Sequence, residues 1–375
     1  MNETKFCVIV STHSFFSSHR EKLFEQLGLI NKLTVIGGAL TADENNTKIQ
    51  KIGVEFSRSK ISLLRFIRNL REMRAHLTKL KSDHHHFVGV YQIMIAIVSG
   101  MTFLHMKNKS YCFSGFGLIF VDPKYVYLRI LFVFLLKVEA YFIRDIKYVV
   151  QNSDDEKIIT RILPSIRHSN IWMIPGCGII DKNIRKHYRV RSKEEPFKIG
   201  FLGRIIQTKG IFELVELARK CSEFKNIQFV IGGNFDRQSP NAIREQDFLK
   251  LLPGNCHFVG VVDNWADFWD SVDCCISLSY REGIPQSVLE AMARGCPVIL
   301  SRVTGHSQLT DGPCRPGFGV SLGEIETEGV AALRQICLEP TLYQLMSTNA
   351  IFRVKNDHSL TRIVAQYKTM FGHEK

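Results

Sequence analysis

The sequence predicts an α/β protein made of two doubly wound parallel-sheet domains facing each other across a cleft, and three observations carry that expectation. Short apolar, β-rich runs separated by helical-period segments occur at Phe6 to Ser11, Leu33 to Gly37, Val88 to Gln92, Tyr111 to Ser114, Tyr148 to Gln151 and Trp172 to Ile174. Strands that alternate with helices pair in parallel and are covered on both faces. The same alternation restarts at Lys198 to Leu202, Ile227 to Ile231, His257 to Val259, Cys274 to Leu278, Pro297 to Leu300 and Gly319 to Ser321. Between the two series lies the polar stretch Asp181 to Pro196, and 375 residues exceed what one hydrophobic core usually holds. The expected domains are residues 1–176 and 177–375. Ligands of such sheets bind beyond the carboxyl ends of the strands, so the loops there are where chemistry is expected.

Charge narrows the partners. The chain has 49 Lys and Arg against 36 Asp and Glu, a formal +13. Residues 1–180 hold 24 basic and 14 acidic side chains and residues 181–375 hold 25 and 22, so the first half carries +10 and the second +3. Much of the excess lies between Ser57 and Ser82, where Arg58, Lys60, Arg65, Arg68, Arg71, Arg74, Lys79 and Lys81 face only Glu72. Leu63, Phe66, Ile67, Leu70, Met73, Leu77 and Leu80 fall on one helical face with Arg65, Arg68 and Arg71 opposite, the pattern of a basic amphipathic helix. Such a helix packs on a core with a solvated polar face, and its Arg face also suits anionic headgroups. Nucleic acid is a poor fit, because no helix-turn-helix, zinc-finger or RNP pattern occurs and no aromatics interleave with the basic stretch.

Ten cysteines are scattered with no Cys-x-x-Cys spacing, which removes metal-ligand and redox-motif readings and suits a reducing cytosol. The amino-terminal apolar run from Phe6 is too brief for a signal peptide and reads as a first buried strand. Two longer apolar stretches stand out. Phe87 to Leu104 has no charge but divides into a strand and a helix, and Val126 to Ile143 is interrupted by Arg129, Lys137 and Glu139. The run His84-His85-His86 is too tightly consecutive to converge on one metal and reads as a lead-in to a strand.

The second half contains the more specific loops. Gly203-Arg204 and Lys209-Gly210 follow a strand and open a helix, where two cations and helix-end amides could hold a diphosphate. Further on, Glu282-Gly283-Ile284-Pro285-Gln286-Ser287-Val288-Leu289-Glu290 leads into a helix expected over about 285–294, punctuated by Pro285, Gly295 and Pro297. A loop and a helix separate Glu282 from Glu290. That spacing puts their carboxylates beyond the roughly 5 to 9.5 Å of a hydrolase pair, and they read as separate acceptors for sugar and ribose hydroxyls. The helix amino end at Gln286 and Ser287 suits a phosphate between the two sugars. Sugar, diphosphate and ribose together describe a nucleotide sugar.

These residues resemble glycosyltransferase family 4, retaining enzymes of GT-B fold with two Rossmann-like domains, whose signature is two glutamates with seven residues between them. Ile174-Pro175-Gly176-Cys177-Gly178 is similar to the family's domain-junction motif, with Cys177 where Asn is commoner, and Gly232-Gly233 also fits. Gln308 stands where the family often has Glu. The first half resembles the CapM-like capsule and O-antigen transferases in Gly115-Phe116-Gly117-Leu118-Ile119-Phe120, where Phe116 and Leu118 depart from the pattern, and in Gln151-Asn152-Ser153-Asp154-Asp155. Ser18-His19-Arg20 is similar to the opening of many relatives.

The resemblance implies transfer of a hexosyl or N-acetylhexosaminyl group, with retention, from a nucleotide diphosphate sugar, UDP-linked by family usage. The acceptor implied is a polyprenyl-diphosphate-linked saccharide, on the cytoplasmic face of the inner membrane. It implies no metal cofactor, with Arg204 and Lys209 stabilising the departing diphosphate, Glu282 on the donor sugar and Glu290 on the ribose. His13, His19, Arg20, Gly115 and Gly117 are expected on the acceptor side, and Arg65, Arg68 and Arg71 at an anionic membrane surface. The last helix, about 358–372, is expected to cross back to the first domain. A nucleotide-sugar epimerase of the same fold, acting on the donor without a lipid acceptor, is the alternative activity. An inactive scaffold is the other alternative, and the intact Arg204, Lys209, Glu282 and Glu290 argue against it.

Overall fold

A computed structural model describes residues 5–29, 32–38, 49–54, 56, 63–80, 82–100, 108–116, 119–120, 123–188, 190, 195–224, 226–237 and 239–372; the side chains of Ser14, His19 and Leu63 are outside this description. The chain forms two units, Met1–Cys177 with Ile363–Lys375, and Gly178–Arg362.

The first unit holds a parallel sheet of β1 (Phe6–Ile9), β2 (Leu33–Gly37), β3 (Gln50–Gly53), β4 (His84–Val88), β5 (Asn108–Phe113), β6 (Lys147–Val150) and β7 (Ile171–Met173), in the order β3-β2-β1-β4-β5-β6-β7. Its helices are α1 (His13–His19), α2 (Glu21–Gln26), α3 (Leu63–Lys79), α4 (Val90–Val98), α5 (Val126–Phe142) and α6 (Ser153–Ile162). β1 is fully buried along Phe6-Cys7-Val8-Ile9, as a central strand covered on both faces must be. Met73 and Leu77 of α3, most of α4, and Phe132 and Leu136 of α5 share one core with Phe87, Tyr111 and Tyr148 of the sheet.

Two strands of this unit differ from expectation. β3 is an added edge strand, half exposed and polar, so it has no apolar run to announce it. β4 starts at His84 instead of Val88, because Gly89 at φ 100° ends the strand and Val90 begins α4. The three histidines are therefore part of the strand. His86 is buried with Nδ1 2.7 Å from Ser110 Oγ and its ring packed on Tyr367 and Phe371, while burial pushes the neutral His85 ring down to about 4. Among the described residues no helix is long and apolar enough to cross a membrane.

The second unit holds β8 (Phe197–Leu202), β9 (Ile227–Gly232), β10 (Cys256–Gly260), β11 (Cys274–Ser277), β12 (Val298–Ser301) and β13 (Gly317–Val320), all parallel in the order β10-β9-β8-β11-β12-β13. Around them lie α7 (Ile211–Lys220), α8 (Glu245–Leu251), α9 (Trp265–Ser271), α10 (Gln286–Ala293), α11 (Ser307–Thr310), α12 (Val330–Leu338) and α13 (Pro340–Asp357). The final helix α14 (Leu360–Phe371) follows, and from Ile363 its residues belong to the first unit, where Phe371 packs edge-on against Phe6.

Candidate functional site

The order of the second sheet reverses between β8 and β11, which makes the carboxyl ends of these two strands the topological switch point of the unit. The loop after β8 carries Gly203, Arg204 and Lys209; the loop after β11 carries Glu282 and leads into α10. Backbone bonds tie the loops together, with Tyr280 N donating to Thr208 O at 3.0 Å and Glu282 N to Thr304 O at 3.3 Å. Gly210, at φ +71°, lies so close to β11 that a Cβ there would stand 2.0 Å from Leu278 O. A side chain at this position would push the two site loops apart.

Lys209 Nζ pairs with Glu282 Oε1, to which Ser279 Oγ also donates at 2.7 Å. Both partners of the pair are largely buried. Burial alone would raise the Glu282 carboxyl, but Lys209 and the two hydrogen bonds outweigh it and hold it below the usual carboxylate range. Glu282 is thus an ionised acceptor pinned at the switch point. Glu290, in α10, is the opposite case: burial pushes it up to about 8 against a hydrogen bond from Gln286, so at neutral pH it keeps its proton. Two carboxyls on adjoining elements are held in different protonation states. The amino end of α10 has Pro285 at its cap, with no side-chain capping bond, beside Gly283 and Ile284 in the loop and ahead of Gln286 and Ser287 in the first turn.

Two residues that sequence reasoning missed complete the arrangement. Arg204 is not a lone cation, since its Nη1 lies 2.8 Å from Asp236 Oδ2 in the loop after β9. His306 is buried between β11 and β12, with Nδ1 2.9 Å from Ser301 Oγ and Nε2 3.4 Å from Ser277 Oγ. Ser301 Oγ donates to Ser279 O at 2.6 Å, so it accepts from Nδ1–H and leaves Nε2 to accept from Ser277. Burial, with Lys209 nearby, pushes His306 down to about 4, so a neutral ring braces the segment that carries Ser279 and Glu282. The only signal for it in the sequence was a histidine beside Gly305. Gln308 gives its backbone oxygen to Arg353, and its own side-chain oxygen is buried with no hydrogen-bond partner among the described residues.

In the first unit the expected acceptor residues do not gather in the same way. His13 opens α1 just after β1, at that sheet's own switch point, with Nε2 3.2 Å from Ile52 O. Arg20 is fully buried in the core that receives α14, bonded to Cys112 Sγ at 3.3 Å and to Tyr367. Gly115 turns at φ +81° after β5, while Gly117, Leu118 and the His19 side chain lie outside the described residues. The Gln151-Asn152-Ser153-Asp154-Asp155 motif is a helix cap: Asn152 Oδ1 accepts from Asp155 N at 2.8 Å, and Asn152 Nδ2 donates to Asp155 Oδ2. Arg65, Arg68 and Arg71 are exposed along α3, whose apolar face is buried at Met73 and Leu77 although Ile67 remains 37% exposed. Arg58, Lys60 and Lys81 lie outside the described residues. Among the described residues no group of three or more His, Cys, Asp or Glu could hold a metal ion.

Two parallel-sheet Rossmann-like units, the second with a pinned carboxylate and a lysine at its switch point, define an α/β protein of the GT-B class. Residues 183–311 match the model of the family described as glycosyl transferases group 1. The chain is 26% identical over 196 residues to the capsular polysaccharide biosynthesis glycosyltransferase CapM of Staphylococcus aureus, covering 52% of this chain and 50% of that one. It is 23% identical over 280 residues to the N,N'-diacetylbacillosaminyl-diphospho-undecaprenol alpha-1,3-N-acetylgalactosaminyltransferase of Campylobacter jejuni, covering 70% and 72%. The chain spans about half the length of the first curated relatives it matches. Among solved structures, the Anabaena protein HepE in complex with UDP and glucose superposes with a TM-score of 0.74 at 14% identity, covering 99% of this chain and 100% of that one, a likeness of fold.

Proposed function

We propose that the protein is a retaining glycosyltransferase that moves a hexosyl or N-acetylhexosaminyl group from a UDP-linked sugar to a polyprenyl-diphosphate-linked saccharide. The setting is surface polysaccharide assembly, capsule or the O-antigen of lipopolysaccharide, at the cytoplasmic face of the inner membrane. The observation that carries this reading is the Lys209–Glu282 pair at the switch point of the second sheet. When donor binds, Lys209 and Arg204 exchange carboxylate partners for the diphosphate, Glu282 accepts from the sugar hydroxyls, and the amides opening α10 face phosphate. The bond from C1 to the leaving phosphate oxygen breaks, the acceptor oxygen bonds to C1 on the same face, and the acceptor's proton passes to that phosphate oxygen. Nucleotide diphosphate leaves. The two cations take the place of a metal. The similarity to CapM and to the Campylobacter enzyme, whose name includes a diphospho-undecaprenol, supports the choice of pathway and acceptor class.

The test is a panel of nucleotide sugars mixed with membrane extract containing polyprenyl-linked acceptors, read as free nucleotide diphosphate. Release that needs both partners is the expected result. Conversion of the sugar nucleotide with no acceptor would identify the epimerase instead.

Glu290 adds a pH signature. A ribose hydroxyl donates best to a carboxylate, so binding at pH 7 draws the proton off a group that otherwise keeps it up to about 8. Nucleotide affinity is expected to rise as pH increases through that value and then level. Calorimetry at pH 7 in buffers of different ionisation enthalpy should register proton release, which Glu290→Gln abolishes together with the pH slope. An equal slope in that variant removes Glu290 from the nucleotide site.

A further inference from the structure

We infer that the outer face of α5 is a lipid-docking surface that inserts its side chains among the headgroups of an anionic bilayer. The helix is fixed to the first unit by its inner face. Phe132 and Leu136 are in the core, and Glu139 is fully buried, accepting from Tyr111 Oη at 2.8 Å and pairing with Lys109 at 3.4 Å. Its outer face is apolar and exposed. Tyr127, Ile130, Leu131, Phe134, Tyr141 and Phe142 range from 47% exposed at Leu131 to 83% at Tyr127. At 100° per residue these six fall within an arc of about 120°, along a helix about 25 Å long. Scattered exposed apolar residues are ordinary, but a continuous stripe of six large ones marks an interaction site.

Charge selects the occupant. Between Lys124 and Arg144 the only acid is the buried Glu139, while Lys124, Lys137 and Arg144 are exposed at the rims. α4 packs against both α5 and α3, so the exposed arginines of α3 belong to the same helical layer as the stripe. Tyr and Phe over an apolar band with cations at its edges is the composition of a helix lying in a lipid interface, where the basic side chains reach phosphate. A second copy of this chain would instead set the rim cations against like charges. The buried inner face keeps α5 on the surface of the unit, lying on a bilayer without spanning it.

This inference deepens the membrane partner of the reading above and is tested without any transfer assay. The full chain is sedimented with vesicles of phosphatidylglycerol and phosphatidylethanolamine, as wild type and as Ile130→Ser/Phe134→Ser/Phe142→Ser. All three positions are exposed, so folding should be retained, and thermal unfolding checks it. Partitioning is expected to fall about tenfold or more in the serine variant and to persist when the same positions are leucine. In Phe134→Trp, the emission added by the new indole should be quenched by brominated lipid once the protein is bound. Undiminished partitioning of the serine variant, or added indole emission that stays unquenched in bound protein, overturns the inference; so does a shift from dimer to monomer with vesicle binding unchanged, which would mean a second copy covers the stripe. If only Arg65→Glu/Arg68→Glu/Arg71→Glu releases the protein, the α5 inference fails while the membrane reading stands; if neither variant does, both fail.

Discussion

Replacing Lys209 by Met lowers transfer by roughly a hundred- to a thousandfold, the usual loss when one preorganised partner of a developing charge is removed. The effect has two sources. Without the ammonium, charge on the departing diphosphate is met by Arg204 alone, which in the free protein is held on Asp236. Glu282 also loses the largest influence opposing its burial, and its carboxyl rises toward or above the ordinary range. The variant should therefore show a new pH dependence in its residual activity, with the rate recovering as pH rises and Glu282 ionises. A variant that had merely unfolded would not show this. At neutral pH Glu282→Gln in the Lys209→Met background should cost little more, because the two residues act as one unit and their effects do not add, and it should abolish the recovery at higher pH. Turnover in Lys209→Met equal to wild type would remove the donor site from this switch point.

The second sheet was legible because its central strands β11 and β12 are continuous apolar runs, as burial on both faces requires, with the helix after β11 punctuated by Pro and Gly. The first sheet was less so, for reasons that lie in particular residues. Gln50-Lys51-Ile52-Gly53 pairs only on one side and does not need an apolar face, and a strand of three histidines becomes core only because Ser110 and the rings of α14, near the far end of the chain, receive them. Single glutamates, lysines and arginines could be placed on the right loops from motif spacing. What spacing could not carry was their pairing: that Lys209 meets Glu282 across 73 residues, that Arg204 meets Asp236, or that Arg20 is enclosed by Cys112 and Tyr367. The Asn152 to Asp155 motif marks a second limit, since a stretch singled out by resemblance also forms a helix cap, which spacing alone does not announce.

The other large effect is expected at a residue with no side chain. Gly305 sits at φ +85°, and a Cβ there would stand 1.9 Å from Gly283 O and 2.6 Å from Glu282 O. Backbone atoms cannot turn aside as a flexible side chain can, so Gly305→Ala must move the Glu282–Gly283 segment. The bond from Glu282 N to Thr304 O goes with it. A displacement of about 1 Å at a positioned group costs on the order of a hundredfold in rate. Backbone strain at positive φ adds about 1 to 2 kcal/mol of instability. Gly312 separates the two contributions: it has φ +97° but nothing within 4 Å of its Cβ position, so Gly312→Ala carries the strain without the collision. Thermal midpoints should fall in both variants, whereas transfer and nucleotide affinity should collapse only in Gly305→Ala. Equal activity in the two would mean that the loop after β12 does not hold Glu282 in place.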